Sequence, residues 1–390
     1  MNATLEIVWI NLKAIPQRLG LSLVIVVGLA GVVGVLTALL AMSRGFEATL
    51  TATGRADRAI VLRAGSQAEL NSGLDRDSQL LVGRAPGVLR GADGQPLASG
   101  EMLVITELPL TRSGTAANVS FRGVEPAGLA MRSELKIVEG RSFEPGLREV
   151  IVGKAATRQF DGLAVGGTLR LRGADWAIVG IFATGDSHES EVWTDLTTAQ
   201  STFNRQGVSS VLVQLENEAA FDAYAAALKQ DPRLNVDVER EVDYFSAQTE
   251  NFRRQIGVLS GVVGVIMGIG AIFAALNTMF AAVAARAREI ATLRAIGFGG
   301  MPVLASVLIE AMLLALAGGL LGAALVWLVF NNYAVTTLGQ GFTQVVFQFR
   351  VTADLLVTGV LLSLAIGFIG GLWPALRAAR LPVTVALREA

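Results

Sequence analysis

The 390-residue sequence has no cysteine and a single histidine. Lack of cysteine excludes disulfides and a thiol nucleophile, but it leaves the compartment open. The lone histidine, His188, has no Ser/His/Asp relay to complete. It sits in Gly185-Asp186-Ser187-His188-Glu189-Ser190-Glu191, where one imidazole without spaced partners reads as a solvated loop residue rather than a metal ligand. There is no G-x-x-x-x-G-K-[ST] phosphate loop: Gly153-Lys154-Ala155 lacks both the upstream glycine and the hydroxyl. No basic, aromatic-rich stripe points to nucleic acid. The expectation is a non-catalytic chain with no cofactor or metal of its own.

Charge is also scarce, 17% of residues against 52% hydrophobic, and its distribution is uneven. Residues 19–42, 256–285 and 355–376 carry no charge, and residues 303–330 carry only Glu310. About 20 apolar residues span a bilayer as a helix, so spans are expected at 19–42, 255–285, 303–330 and 354–376. The first block is too long for a signal peptide and has no A-x-A site after Met42, so it reads as a retained anchor.

Lysine and arginine near the spans set orientation. With the N-terminus inside, the cytoplasmic pieces hold Lys13, Arg18, Arg286, Arg288, Arg294, Arg377, Arg380 and Arg388 against Glu6, Glu289 and Glu389. Arg253 and Arg254, just outside the second span, are the local discord. Both termini are therefore expected in the cytoplasm. Residues 1–18 read as an amphipathic lead with Trp9 at the interface, 331–353 as a short outer loop and 377–390 as a cytoplasmic tail.

Residues 43–254 form the large outer segment, long enough to bury its own core. Strands are expected at Ala59–Arg63, Met102–Glu107, Asn118–Val124, Leu135–Val138, Val150–Val152, Thr168–Arg172, Trp176–Phe182, Val208–Leu215 and Leu234–Val238. Helices are expected at Ala155–Phe160, Leu196–Asn204 and Glu218–Lys229. Residues 66–96 read as the least structured stretch. From Glu241 to Ala285 no helix breaker occurs, which predicts a stalk running straight into the second span. The fold class is an α-helical membrane protein of four transmembrane helices with a large mixed α/β periplasmic domain inserted between helices 1 and 2.

Three features suggest sites. Gly261, Gly264 and Gly268 in span two, like Gly28, Gly31 and Gly34 in span one, are spaced for close helix packing in lipid; ordinary membrane glycine content is the alternative. Glu310 lies either near the headgroups or against Ser306 and a neighbouring helix, and Asp354 suits a helix N-terminus. Between spans two and three, residues 286–302 contain a short helix whose Ile290, Leu293 and Ile296 share one side, flanked by Arg288 and Glu289. That side could enter a partner's groove, or the arginines could merely keep the spans from slipping.

Asn277-Thr278-Met279, Arg288-Glu289-Ile290 and Leu293-Arg294-Ala295-Ile296-Gly297 resemble the inter-span signature of MacB/FtsX-like ABC permeases. Glu310-Ala311 with Gly318-Gly319-Leu320-Leu321-Gly322 resembles that family's third span, and Pro374-Ala375 through Arg380-Leu381 and Ala386-Leu387-Arg388 resembles its tail. The tail departs where Pro382 follows Leu381 and Thr384 replaces an acid. Glu139–Phe143, Val150–Gly153, Gly166–Leu169 and Val179–Phe182 are similar to the MacB-type periplasmic domain, whereas residues 60–130 match no pattern.

The resemblance implies a dimeric (homo- or heteromeric) permease in the bacterial inner membrane, paired with a cytoplasmic ABC ATPase that holds ATP and Mg. Arg286, Arg288, Glu289, Ile290, Leu293, Arg294 and Gly297 would couple to that ATPase, while Gly261, Gly264, Gly268, Asn277 and Glu310 would serve transmembrane packing. A periplasmic adaptor and outer-membrane channel are implied as possible further partners. The resemblance also leaves room for an FtsX-like signalling protein acting on a cell-wall hydrolase, or a lipoprotein-releasing permease of the Lol type.

Overall fold

The structure, a computed structural model, describes residues 19–338 and 344–381. In chain order, α1 (Leu19–Thr53) leads into β1 (Arg58–Arg63), α2 (Arg76–Gly83), β2 (Ala98–Pro109), β3 (Ala116–Val124), α3 (Pro126–Met131), β4 (Lys136–Gly140) and β5 (Glu149–Gly153). Then come α4 (Lys154–Gln159), β6 (Thr168–Leu171), β7 (Ala174–Ala183), β8 (Glu191–Asp195), α5 (Leu196–Phe203), β9 (Ser210–Gln214), α6 (Ala220–Gln230) and β10 (Val236–Arg240). The chain finishes with α7 (Glu241–Ala285), α8 (Ala287–Ala295), α9 (Gly300–Phe330), β11 (Ala334–Leu338), β12 (Gln344–Gln348) and α10 (Ala353–Arg380). It divides into a helical unit (1–45, 253–333, 349–390) and an α/β unit (46–252, 334–348).

In the α/β unit the strands run β10-β1-β9-β2-β3-β8-β5-β7-β4, with β6 on β7. The pairs β3/β8 and β5/β7 are parallel, and the other pairs are antiparallel. Phe121, Phe160, Trp176 and Tyr224 fill the core beneath. All nine expected strands are present, but β8 is an addition. Its sequence, EVWTD, breaks the apolar pattern with three polar residues that are nonetheless buried. Residues 66–96 are better ordered than expected: Asp75 caps α2 by accepting from the Ser78 N–H at 2.8 Å, and a 3-10 turn at Glu69–Asn71 buries Glu69.

The 331–353 segment contains a β-hairpin rather than a plain loop, and β11–β12 pack into the α/β unit. Ser190 Oγ accepts from the Val346 N–H at 3.0 Å, and Gln159 donates to Gln344 at 2.7 Å. Phe347 meets Phe46 and Phe252, whose own rings are 4.2 Å apart. The short apolar, β-branched run Val345-Val346-Phe347 between Gln344 and Gln348 was the available strand signal.

In the helical unit, α1, α7, α9 and α10 are each long and apolar enough to cross a membrane. Leu29, Val32, Met279, Val307, Ala315, Ile366 and Ala375 form the shared interior. α7 runs unbroken through Arg253. The tightest glycine contacts lie elsewhere than the sequence suggested. A Cβ on Gly322 would come within 2.6 Å of the Ala30 carbonyl, and one on Gly318 within 2.8 Å of the Val26 carbonyl, so α9 sits backbone-to-backbone against α1. Gly367 and Gly371 of α10 make room for the methyl groups of Ala315 and Ala311 of α9. By contrast, among the described residues a Cβ on Gly261 meets nothing within 4 Å and one on Gly268 only Ile366 at 4.0 Å; of the three, Gly264 faces a close neighbour, Leu36 at 3.0 Å. Asn277 is exposed rather than part of the bundle interior. Small residues reveal that a helix can be approached closely, but not which face its own chain uses.

Candidate functional site

After α7 ends at Ala285, Arg286 leaves helical geometry and the chain turns into α8. The nine residues of α8 close with a glycine motif: Gly297 has φ +105°, its N–H reaches the Arg294 carbonyl, and the Phe298 N–H reaches that of Leu293. This paired 6→1 and 5→2 arrangement satisfies carbonyls at the helix end and needs a residue without a Cβ.

Arg286 does not point to a partner. It is buried and donates to Glu310 of α9 at 2.7 Å, with side-chain exposures of 4% and 7%. Ile290 and Ala291 are likewise buried among Met279, Val283 and Val303. Arg286 and Ile290, expected to belong to a docking surface, are thus buried in their own bundle, whereas Ile296 of the same apolar side is not. Leu293 is half-buried, and Arg294 donates to the Leu381 carbonyl at the end of α10, at 2.5 Å. What α8 leaves outward is Arg288, Glu289, Thr292, Ala295 and, just beyond, Ile296 at 69% exposure. Glu310 belongs to the buried alternative, with a cation as its partner. Asp354 sits in the first turn of α10 with Arg44 3.7 Å away. Residues 1–18 with Trp9, and the tail from Pro382 through Thr384 to Arg388, lie outside the described residues.

A second charged constellation, unforeseen in the sequence, lies inside the α/β unit. Arg122 of β3 donates to Glu191 at 2.7 and 3.1 Å, to Glu69 at 2.8 and 3.0 Å and to Glu101 at 2.8 Å. Arg132 forks onto Glu101 at 2.6 and 3.0 Å and stacks 4.9 Å over Trp193, whose Nε1–H donates to Glu191. Burial alone would raise the Glu101 carboxyl, but Arg132 and Arg122 outweigh it and hold it at about 2. For Glu69 burial is again outweighed, here by Arg122, and its pKa is lowered.

A second set of polar contacts fastens the end of α1 and the start of α7 in this unit. Arg58 donates to Glu134 at 2.8 Å and to Glu241, the first residue of α7, at 3.5 Å; Glu241 also accepts from the Arg55 N–H. A Cβ on Gly54 would run into the backbone of Glu241 and Val242. Thr53, the last residue of α1, shares a hydrogen bond with Ser187, and Tyr244 Oη accepts from the Glu69 N–H. His188 is buried rather than solvated, 3.3 Å from Asp186 and edge-on to Trp193 and Phe245. Phe46, Tyr244, Phe245 and the Arg122 cluster line a cavity of ≈ 80 Å³.

Two family models cover these regions: MacB-like periplasmic core domain matches residues 22–231, and FtsX-like permease C-terminal matches residues 261–383. The chain belongs to the MacB/FtsX-like family of ABC permeases. The macrolide export ATP-binding/permease protein MacB of Bdellovibrio bacteriovorus is 25% identical over 97% of this chain and 60% of its own length. The ABC transporter permease YknZ of Bacillus subtilis is 26% identical over 65% of this chain and 66% of its own. This MacB/FtsX-like chain thus spans 60% of the length of that MacB relative. The solved periplasmic region of MacB from Actinobacillus actinomycetemcomitans aligns at 10% identity, covering 51% of this chain and 95% of that one, with a TM-score of 0.37. Like the family models, the MacB/FtsX-like permease has an α/β domain of the periplasmic kind, inserted in a membrane-spanning helical unit.

Proposed function

We propose that the chain is the permease subunit of an ABC-type export or extraction complex in the bacterial inner membrane, with both termini cytoplasmic. It converts ATP-driven motion into movement of its periplasmic α/β domain, and substrate is handled on that side. ATP and Mg are held by a partner ATPase outside these 390 residues, since the sequence has no phosphate loop to cradle them. Two permease copies, identical or paralogous, present two α8 helices; Gly28, Gly31 and Gly261, at which a Cβ would meet nothing within 4 Å among the described residues, suit the copy–copy face.

The observation that carries the reading is α8 itself. It is a short helix fixed into its bundle by Ile290 and by two arginines, yet it leaves Arg288, Glu289, Thr292 and Ile296 exposed. Pinned on one side and presenting charged groups beside the apolar Ile296 on the other, it suits a docking element that passes load rather than a flexible connection. The test is co-purification with the partner ATPase and measurement of ATPase stimulation. Glu289→Arg with Ile296→Asp reduces both at least tenfold under this reading. Unchanged stimulation with unchanged complex yield refutes it, and capture of a cell-wall hydrolase in place of an export partner favours the signalling alternative.

A further inference from the structure

Within the helical unit, charged side chains are rare, so the meeting of Arg286 and Glu310 is informative. Two ions taken from water into an apolar interior contribute little net stability, because desolvation offsets their attraction. What such a pair does supply is geometry: neither charge can leave its partner without being stranded in an apolar interior. Arg286 occupies the junction between α7 and α8, and Glu310 lies on α9 beside buried Ser306 and Val307. The bond between them, at 2.7 Å, is charge-assisted and short.

The far end of α8 is held separately. Arg294 donates to the carbonyl of Leu381, one of the orphan acceptors at the C-terminus of α10, where a cation also suits the helix dipole. Between the two arginines, Ile290 and Ala291 pack into the bundle. Helix α8 is thus tied at its start to α9 and at its end to α10.

We propose that Glu310 is a positioning residue: through Arg286 it fixes the orientation of α8, so that load on α8 is delivered into α9 and α10 as well as into α7. This rests on the reading of α8 as the partner-facing element, and adds which spans receive the motion. It also assigns a purpose to an acid within an otherwise uncharged span.

The absence of cysteine makes the test direct. Spin labels at Thr292→Cys, on the exposed side of α8, and Leu320→Cys, on the exposed side of α9, give a distance distribution in the full chain in lipid nanodiscs. The expected result is that Glu310→Gln at least doubles the width of that distribution. The reversed pair, Arg286→Glu with Glu310→Arg, returns it to within about a quarter of the parent width, an outcome that a role in packing alone does not produce. A distribution unchanged in Glu310→Gln overturns the proposal, as does a reversed pair that stays broad. If Glu310→Gln yields no folded protein, the reversed pair decides alone: narrow supports, broad overturns. Because no ATPase is present, either result stands apart from the Glu289→Arg docking test.

Discussion

Replacing Arg122 with methionine is the most demanding test of the buried cluster in the α/β domain. Arg122 donates five hydrogen bonds to Glu69, Glu101 and Glu191. Methionine fills comparable length but strands two carboxylates without their principal cation; Glu101 keeps Arg132. Removing one partner from a buried ion cluster costs about 3–5 kcal/mol, which for a domain of this size corresponds to roughly 6–20 °C in apparent Tm. Trp193, bonded to Glu191 within the cluster, reports unfolding by fluorescence in the detergent-solubilised chain. The pH dependence discriminates further. In the parent, Arg122 keeps the Glu69 pKa lowered, so its contribution is present above the unfolded carboxyl pKa and lost as pH falls. In Arg122→Met the stranded Glu69 carboxyl titrates upward, and the deficit shrinks as pH drops from 8 toward 5. A deficit under about 1 kcal/mol, or one that is flat with pH, refutes the reasoning.

The domain also titrates on the alkaline side. Burial lowers the His188 pKa, but Asp186 beside it outweighs this and raises it overall; burial raises Glu241 as well. Raised groups stabilise the fold below their unfolded pKa and lose that contribution as pH climbs through the folded one. Since Glu101 and Asp186 are lowered, apparent Tm is expected to peak between the reference values of 4.5 and 6.5, and His188→Asn flattens the decline above 6.5 in a thermal-shift series. Gly322→Leu forces α9 away from the Ala30 backbone and is expected to abolish folded yield by size-exclusion chromatography, whereas Gly261→Ala, facing open space, leaves it unchanged. Phe347→Ala removes one ring from the Phe46–Phe252 contact and, because Phe347 is enclosed, is expected to lower apparent Tm by the equivalent of about 3–5 kcal/mol; no change dismisses the hairpin as a structural part of the domain.

The spans and most strands were legible because they depend on one-dimensional signals: uninterrupted apolar length, and alternation as in Thr168–Leu171. β8 was not, since Glu191 and Thr194 gain buried partners only after distant strands assemble, and Asp195 serves as the N-cap of α5. Which face of α8 is free was likewise hidden. Ile290 and Leu293 advertise an apolar side, but periodicity cannot say whether that side meets its own bundle or another molecule. Arg286 and Glu310 stand 24 residues apart, and nothing local marks them as partners. His188 misled because a stretch rich in Asp, Ser and Glu suggests solvent, while the fold closes over it with Trp193 and Phe245.

The hairpin at 334–348 changes how the domain must be made. Its companion surface around Phe46 and Phe252 is synthesised well before it, with α8, α9 and most of α7 intervening. A ribosome has therefore to complete two further helices of membrane-spanning length, α7 and α9, before the domain receives its final strands. A secreted fragment stopping at 252 carries bare aromatic rings where Phe347 belongs, and a chain whose α9 fails to insert leaves the domain unfinished. Correct insertion of one half of the molecule is thereby made a precondition for maturing the other.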